Sequence, residues 1–151
     1  MAIFTTSDVK LEGLNWPFVA RCELLLPRRG DVQVFPVAAM TWPNRFECRA
    51  LSIKHAKDAA WSPGEVQVRL ILSGGSTGSK AYLDLPVLGM AYDPFGFYTH
   101  YWQEKHKPFI SPQQSVVIEV ENVGNKPQTG LLLAKVDGML YRDLNSDGRS
   151  T

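Results

Sequence analysis

The chain has little of what catalysis or metal binding is usually built from. Its 151 residues include two cysteines and three histidines. Cys22 and Cys48 stand alone rather than in close-spaced pairs, so by themselves they cannot form a zinc site. Each falls in an apolar, strand-like stretch. The expectation is therefore two buried free thiols, with a single disulfide as the alternative. There is no Gly-x-Ser-x-Gly elbow, no His-Glu-x-x-His and no Gly-x-Gly-x-x-Gly. No cofactor is expected, and nothing marks the chain as an enzyme. Excess charge is missing too. The formal net charge is +1, the basic residues are scattered, and Arg28-Arg29 beside Pro27 and Gly30 is a doublet in a turn. A nucleic-acid partner is not expected from such a distribution. No apolar run approaches the ~20 residues of a membrane span. Residues 1–7 have neither the basic region nor the apolar core of a secretory signal. The reading is a protein made in a cytosol and soluble there, without a membrane partner.

What is present is alternation. Hydrophobic residues make up 44% and charged residues 21% of the chain, a composition able to fold into one ordinary domain. Successive strand residues point to opposite faces, and five segments follow that period. Val66, Val68, Leu70 and Leu72 share one face, as do Val116, Ile118 and Val120. Ala81, Leu83, Leu85 and Val87 form a third inward set, and Ala20, Cys22, Leu24 and Leu26 a fourth. Phe46, Cys48 and Ala50 alternate with Arg45, Glu47 and Arg49. Less regular candidates are Val32–Ala39, Gly96–Trp102 and Leu131–Val136. Turn residues separate the runs at 27–31, 62–64, 73–78, 93–94 and 122–125. Strands at this spacing predict an all-β fold, an antiparallel β-sandwich of about eight strands over residues 16–142. Helix signals are thin: residues 55–61 could make one or two turns before Pro63, and ten prolines argue against long helices. Residues 1–15 read as an extended arm and 143–151 as a polar tail.

Three segments invite chemistry. Gly74 to Lys80 resembles a phosphate loop, but Ser79 separates glycine from lysine and a strand pattern follows where a helix should. His100, Trp102, Glu104 and His106 would share one face of an extended strand, yet the two histidines would then lie roughly 20 Å apart, too far for one ion. Asp143, Asn145, Asp147 and Gly148 open like a calcium loop, but the chain ends before the twelfth-position glutamate. A flexible loop, a surface strand and a solvated tail are the better readings.

The aromatic content is more telling. Tyr92, Phe95, Phe97, Tyr98, Tyr101 and Trp102, with Phe109 beyond them, are too closely spaced for all to enter one core face. Large rings with polar tips favour interfaces. These six residues are therefore the candidate partner-contact set, for a protein or, alternatively, for a carbohydrate on an aromatic platform.

The C-terminal third adds a resemblance. Pro108-Phe109-Ile110 with Pro112 leads into Ser115 to Asn122. A turn follows, then an apolar strand closing on Asp137-Gly138-Met139-Leu140-Tyr141-Arg142. This resembles the small jelly-roll minor capsid, cement and decoration proteins of tailed-bacteriophage virions. The resemblance implies a jelly-roll-like sandwich, a place in the virion, and as partners the major capsid protein and further copies of the chain itself in a homo-oligomer such as a trimer. It transfers no catalytic residue.

Overall fold

The structure, a computed structural model, describes residues 14–15, 18–39, 44–57, 60–74 and 78–142. The alternating segments become strands: β1 (Leu14–Asn15), β2 (Phe18–Leu26), β3 (Val32–Ala39), β4 (Asn44–His55), β5 (Val66–Gly74), β6 (Lys80–Pro86), β7 (Ala91–Tyr92), β8 (Tyr98–Tyr101), β9 (Phe109–Ile110), β10 (Gln114–Asn122) and β11 (Gln128–Arg142). Three short 3-10 turns, at Pro63–Glu65, Val87–Gly89 and Glu104–His106, are the only helical elements among the described residues. Every ladder is antiparallel.

The strands form two sheets. The larger runs β1-β11-β4-β8-β7, with β2 also on β11 and β9 also on β4; the smaller runs β3-β10-β5-β6. Without the two-residue strands β1, β7 and β9, the larger sheet reads β2-β11-β4-β8. The chain then crosses from one sheet to the other at every connection except the β5–β6 hairpin. That is the path of an eight-stranded jelly roll, in which each sheet covers the other's apolar face.

The core is what alternation dictates. Val66, Val68, Leu70 and Leu72 of β5 and Val116, Ile118 and Val120 of β10 are buried against Leu24 and Leu26 of β2, Phe46, Cys48, Leu51 and Ile53 of β4 and Leu132, Ala134 and Val136 of β11. One inward set needs correction. In β6, Leu70 pairs with Leu83 but Ile71 pairs with Ala81, so Tyr82 is an extra residue in the ladder. Such a bulge resets the face: Ala81, expected inside, is exposed, while Tyr82 packs against the core. Val87 is buried, but from a 3-10 turn rather than from the strand. Residues 55–57 also differ from the helical expectation. His55 completes β4 and its ring stacks on Trp61 at 5.4 Å, so the apolar run serves a strand end.

One bulge is tied to a glycine. Asp137 pairs with Ala50 but Gly138 with Cys48, leaving Arg49 as the extra residue. At Gly138 the strands come so close that a Cβ would sit 1.9 Å from the Glu47 carbonyl oxygen and 2.7 Å from the Phe46 ring. Only glycine leaves that space open.

The ends of the strands are held by a buried amide. Asn122 is fully buried, and its Nδ2 donates to the carbonyls of Leu26 and Lys126, both at 2.8 Å. Its Oδ1 accepts from the Gly124 amide at 3.0 Å. One side chain thus ties the end of β2 to the β10–β11 turn, with its hydrogen-bonding capacity met as burial demands. Cys22 and Cys48 are both free. Cys48 is enclosed in the core, and burial, with Glu47 beside it, pushes its thiol up to about 12.

Residues 1–13 of the expected arm at 1–15, and the tail at 143–151 including Asp143, Asn145 and Asp147, lie outside the described residues. Leu14 and Asn15 form β1 and pair with Leu140 and Met139 of β11. The loop that resembles a phosphate cradle joins the end of β5 to Lys80 at the start of β6, so strands flank it on both sides.

Candidate functional site

The two outer faces of the sandwich differ in kind. On the smaller sheet, Arg69 is centred among three carboxylates: Glu121 at 2.7 Å, Asp84 at 3.1 Å and Glu119 at 3.7 Å. The hydrogen bond to Glu121, more than any other contact, holds the Arg69 guanidinium above its already high range. One guanidinium against three carboxylates leaves this cluster with an excess of negative charge.

The larger sheet presents an outer face where aromatic and apolar side chains stand among charged ones such as Lys54, Lys135 and Asp137. Leu51 and Ile53 point into the core, so Ser52 between them points out, paired with Thr99 and Lys135 on the neighbouring strands. Ser52 and Thr99 share a hydrogen bond of 3.0 Å and are nevertheless buried. Their neighbours two residues away on that face are Ala50, Lys54, Phe97 and Tyr101. The Phe97 ring is flanked by two ammonium groups, Lys135 at 4.8 Å and Lys54 at 5.3 Å, each a cation–π contact. Tyr101 is 65% exposed. Further along, Phe109 stacks on Tyr141 at 5.9 Å. Val19, Leu25 and Leu131 extend the same face across β2 and β11, and all three are exposed.

The turn between β7 and β8 gives this face its most prominent side chain. Asp93 Oδ1 accepts from the amides of Phe95 at 2.9 Å and Phe97 at 3.0 Å. The Asp93 carbonyl takes the Gly96 amide at 3.1 Å, and Gly96 has φ +88°, a conformation suited to glycine. The result is a tight, internally bonded turn with Phe95 at its tip, 77% exposed.

The six contact aromatics thus separate into three places. Phe95, Phe97 and Tyr101 belong to the outer face and its turn. Tyr92 and Tyr98 pair at the sheet edge, rings 4.7 Å apart; Tyr92 is exposed, whereas Tyr98 reaches inward against the core. Burial, with Tyr92 close by, raises the Tyr98 hydroxyl. Trp102 lies elsewhere: it is 7% exposed, part of the core, and its indole N–H donates to the Tyr82 carbonyl at 3.0 Å. That bond uses the carbonyl of the bulged residue, which explains why this aromatic turns inward.

The face expected for His100, Trp102, Glu104 and His106 does not form, because β8 ends at Tyr101 and residues 104–106 turn as a 3-10 helix. His100 packs edge-on to Trp102 at 5.1 Å, and burial holds its imidazole below the usual range. Among the described residues no three His, Cys, Asp or Glu side chains are grouped to hold a metal ion.

No family model matches the chain, and no curated protein matches it. Two solved structures resemble it in part. The crystal structure of FLHE covers 87% of this chain and 98% of its own, at 13% identity and a TM-score of 0.44. The acid-stable capsid structure of Helicobacter pylori bacteriophage KHP30 covers 89% of this chain and 94% of its own, at 15% identity and a TM-score of 0.40. At such scores neither likeness bears on function.

Proposed function

We propose that the chain is a non-enzymatic structural protein that docks on another folded protein through the outer face of its larger sheet. One observation carries this reading: Phe95, 77% exposed, stands on a turn fixed by Asp93, and Tyr101, 65% exposed, ends the strand that follows that turn. Large aromatic side chains held exposed before binding lose little entropy on contact and make good anchors. The opposite face offers Val32, Val34 and the acidic cluster around Arg69, but no exposed aromatic anchor among the described residues.

The setting follows from the C-terminal pattern described above. In this reading the partner is the major capsid protein of a tailed phage, and the chain is a minor capsid or cement protein acting as a homo-oligomer. Near-neutral charge is compatible with lying on a protein shell rather than on nucleic acid. Mass spectrometry of purified particles of the phage encoding the chain tests the setting. The chain at stoichiometric abundance is expected, and its absence overturns the reading. Saturable binding to immobilised glycans, lost in Tyr101→Ala, would assign the face to carbohydrate instead.

A further inference from the structure

A cleft of about 450 Å³ opens at the β6 edge of the smaller sheet, between that strand and the turn Glu104–His106. Its walls are Lys80 on one side and Lys105, His106 and Lys107 on the other, with Tyr82 and Trp102 between them. Lys80 lies over the Tyr82 ring, 4.8 Å from its centroid. Lys107 is tied to Glu104 at 2.6 Å, and that pairing draws the exposed Glu104 carboxyl below its ordinary range. Lys80 and Lys105 have no carboxylate partner among the described residues. Three lysines therefore line one cleft, and only Lys107 among them is paired with a carboxylate, on a chain whose net charge is only +1.

We propose that this cleft binds a phosphate-bearing ligand, a phosphate monoester with a flat ring or inorganic phosphate itself. Like charges gathered around a concavity attract a counter-ion of matching valence. Ammonium groups act as point charges and suit a tetrahedral oxyanion with several oxygens. The lining has no guanidinium to clasp a planar carboxylate in bidentate fashion. It also has no carboxamide or aliphatic hydroxyl to recognise a neutral sugar. The Tyr82 ring at the floor takes a flat ring, as base-stacking sites do, when the Lys80 ammonium over it turns to the phosphate. The bulge that puts Tyr82 in this position also brings Trp102 against it, so the floor is fixed by the fold. The site is separate from the docking face and stands or falls independently of it.

The test is a titration of the full chain, followed by amide NMR at low ionic strength, with inorganic phosphate, adenosine monophosphate and adenosine. Phosphate and adenosine monophosphate are expected to shift the amides of residues 80–82 and 102–107 saturably, and adenosine is not. Tighter binding of the monophosphate than of phosphate assigns the ligand as an ester; equal binding assigns it as the free ion. The double variant Lys80→Gln/Lys105→Gln is expected to bind about tenfold more weakly, as loss of two exposed charge contacts implies. Its undisturbed amide pattern elsewhere shows that it is folded. Shifts that never saturate, adenosine binding as well as its monophosphate, or a double variant that binds like the parent would each overturn the proposal.

Discussion

Replacing Asn122 with alanine removes three hydrogen bonds at once from a fully buried position. The bonds measure 2.8, 2.8 and 3.0 Å, to Leu26, Lys126 and Gly124. Each net contribution is about 1 kcal/mol, and buried partners left without a bond are penalised, so the expected loss is about 3 kcal/mol. Against a total stability of roughly 5–15 kcal/mol that is a large share. Equilibrium unfolding in urea measures it. The midpoint is expected to fall by about 1.5 M with the slope unchanged, since the surface exposed on unfolding stays the same. A loss under about 1 kcal/mol would refute the view that this amide anchors the strand ends. Asn122→Asp sharpens the test, because it turns an oxygen toward two carbonyls. A carboxyl in that place favours its protonated form, so the folded pKa lies above the unfolded one. The variant's stability is then greatest at acid pH and falls as pH rises through the folded pKa.

Gly138→Ala forces a methyl group to within 1.9 Å of the Glu47 carbonyl, so β4 and β11 must separate. A loss of at least about 3 kcal/mol is expected in urea unfolding, and an unchanged midpoint would contradict the close approach. Cys48, with its folded thiol near 12 against 9.0 for the free group, contributes stability that is complete below 9.0 and declines as pH rises from there toward 12. Unfolding measured across that range should show the decline, and Cys48→Ala should remove it. In native protein near neutral pH, a thiol reagent should modify the partly exposed Cys22 and leave Cys48 untouched until denaturant is added.

Much of the fold is legible in the sequence because burial on one face writes itself as period two. Val66 to Leu72 and Val116 to Val120 land inside as their alternation requires. One failure of the reading comes from a bulge. Tyr82 adds a residue to β6 and reverses the face of Ala81, and nothing local in Lys80-Ala81-Tyr82 announces it. The aromatic band at 92–109 was visible as an excess of rings, but its division was not. Trp102 goes inside because the Tyr82 carbonyl accepts its indole proton, a contact spanning 20 residues. Val19 and Leu25 were readable in principle, as apolar residues on the face of β2 that also carries Arg21 and Glu23. The lysine cleft was not, since Lys80 and Lys105 are brought together only by the path of the chain between the sheets.

The outer face of the larger sheet is proposed to dock on the shell of a phage particle. The direct test is cosedimentation of purified chain with particles of the encoding phage, comparing the parent, Phe95→Lys/Tyr101→Lys, and Val34→Lys on the opposite sheet. All three side chains are exposed, so the folded state should tolerate each change. Saturable binding is expected of the parent and of Val34→Lys, with binding by the double variant weakened about thirtyfold or more, as loss of hot-spot anchors implies. Equal binding by all three proteins, or no binding by the parent, would contradict the proposal.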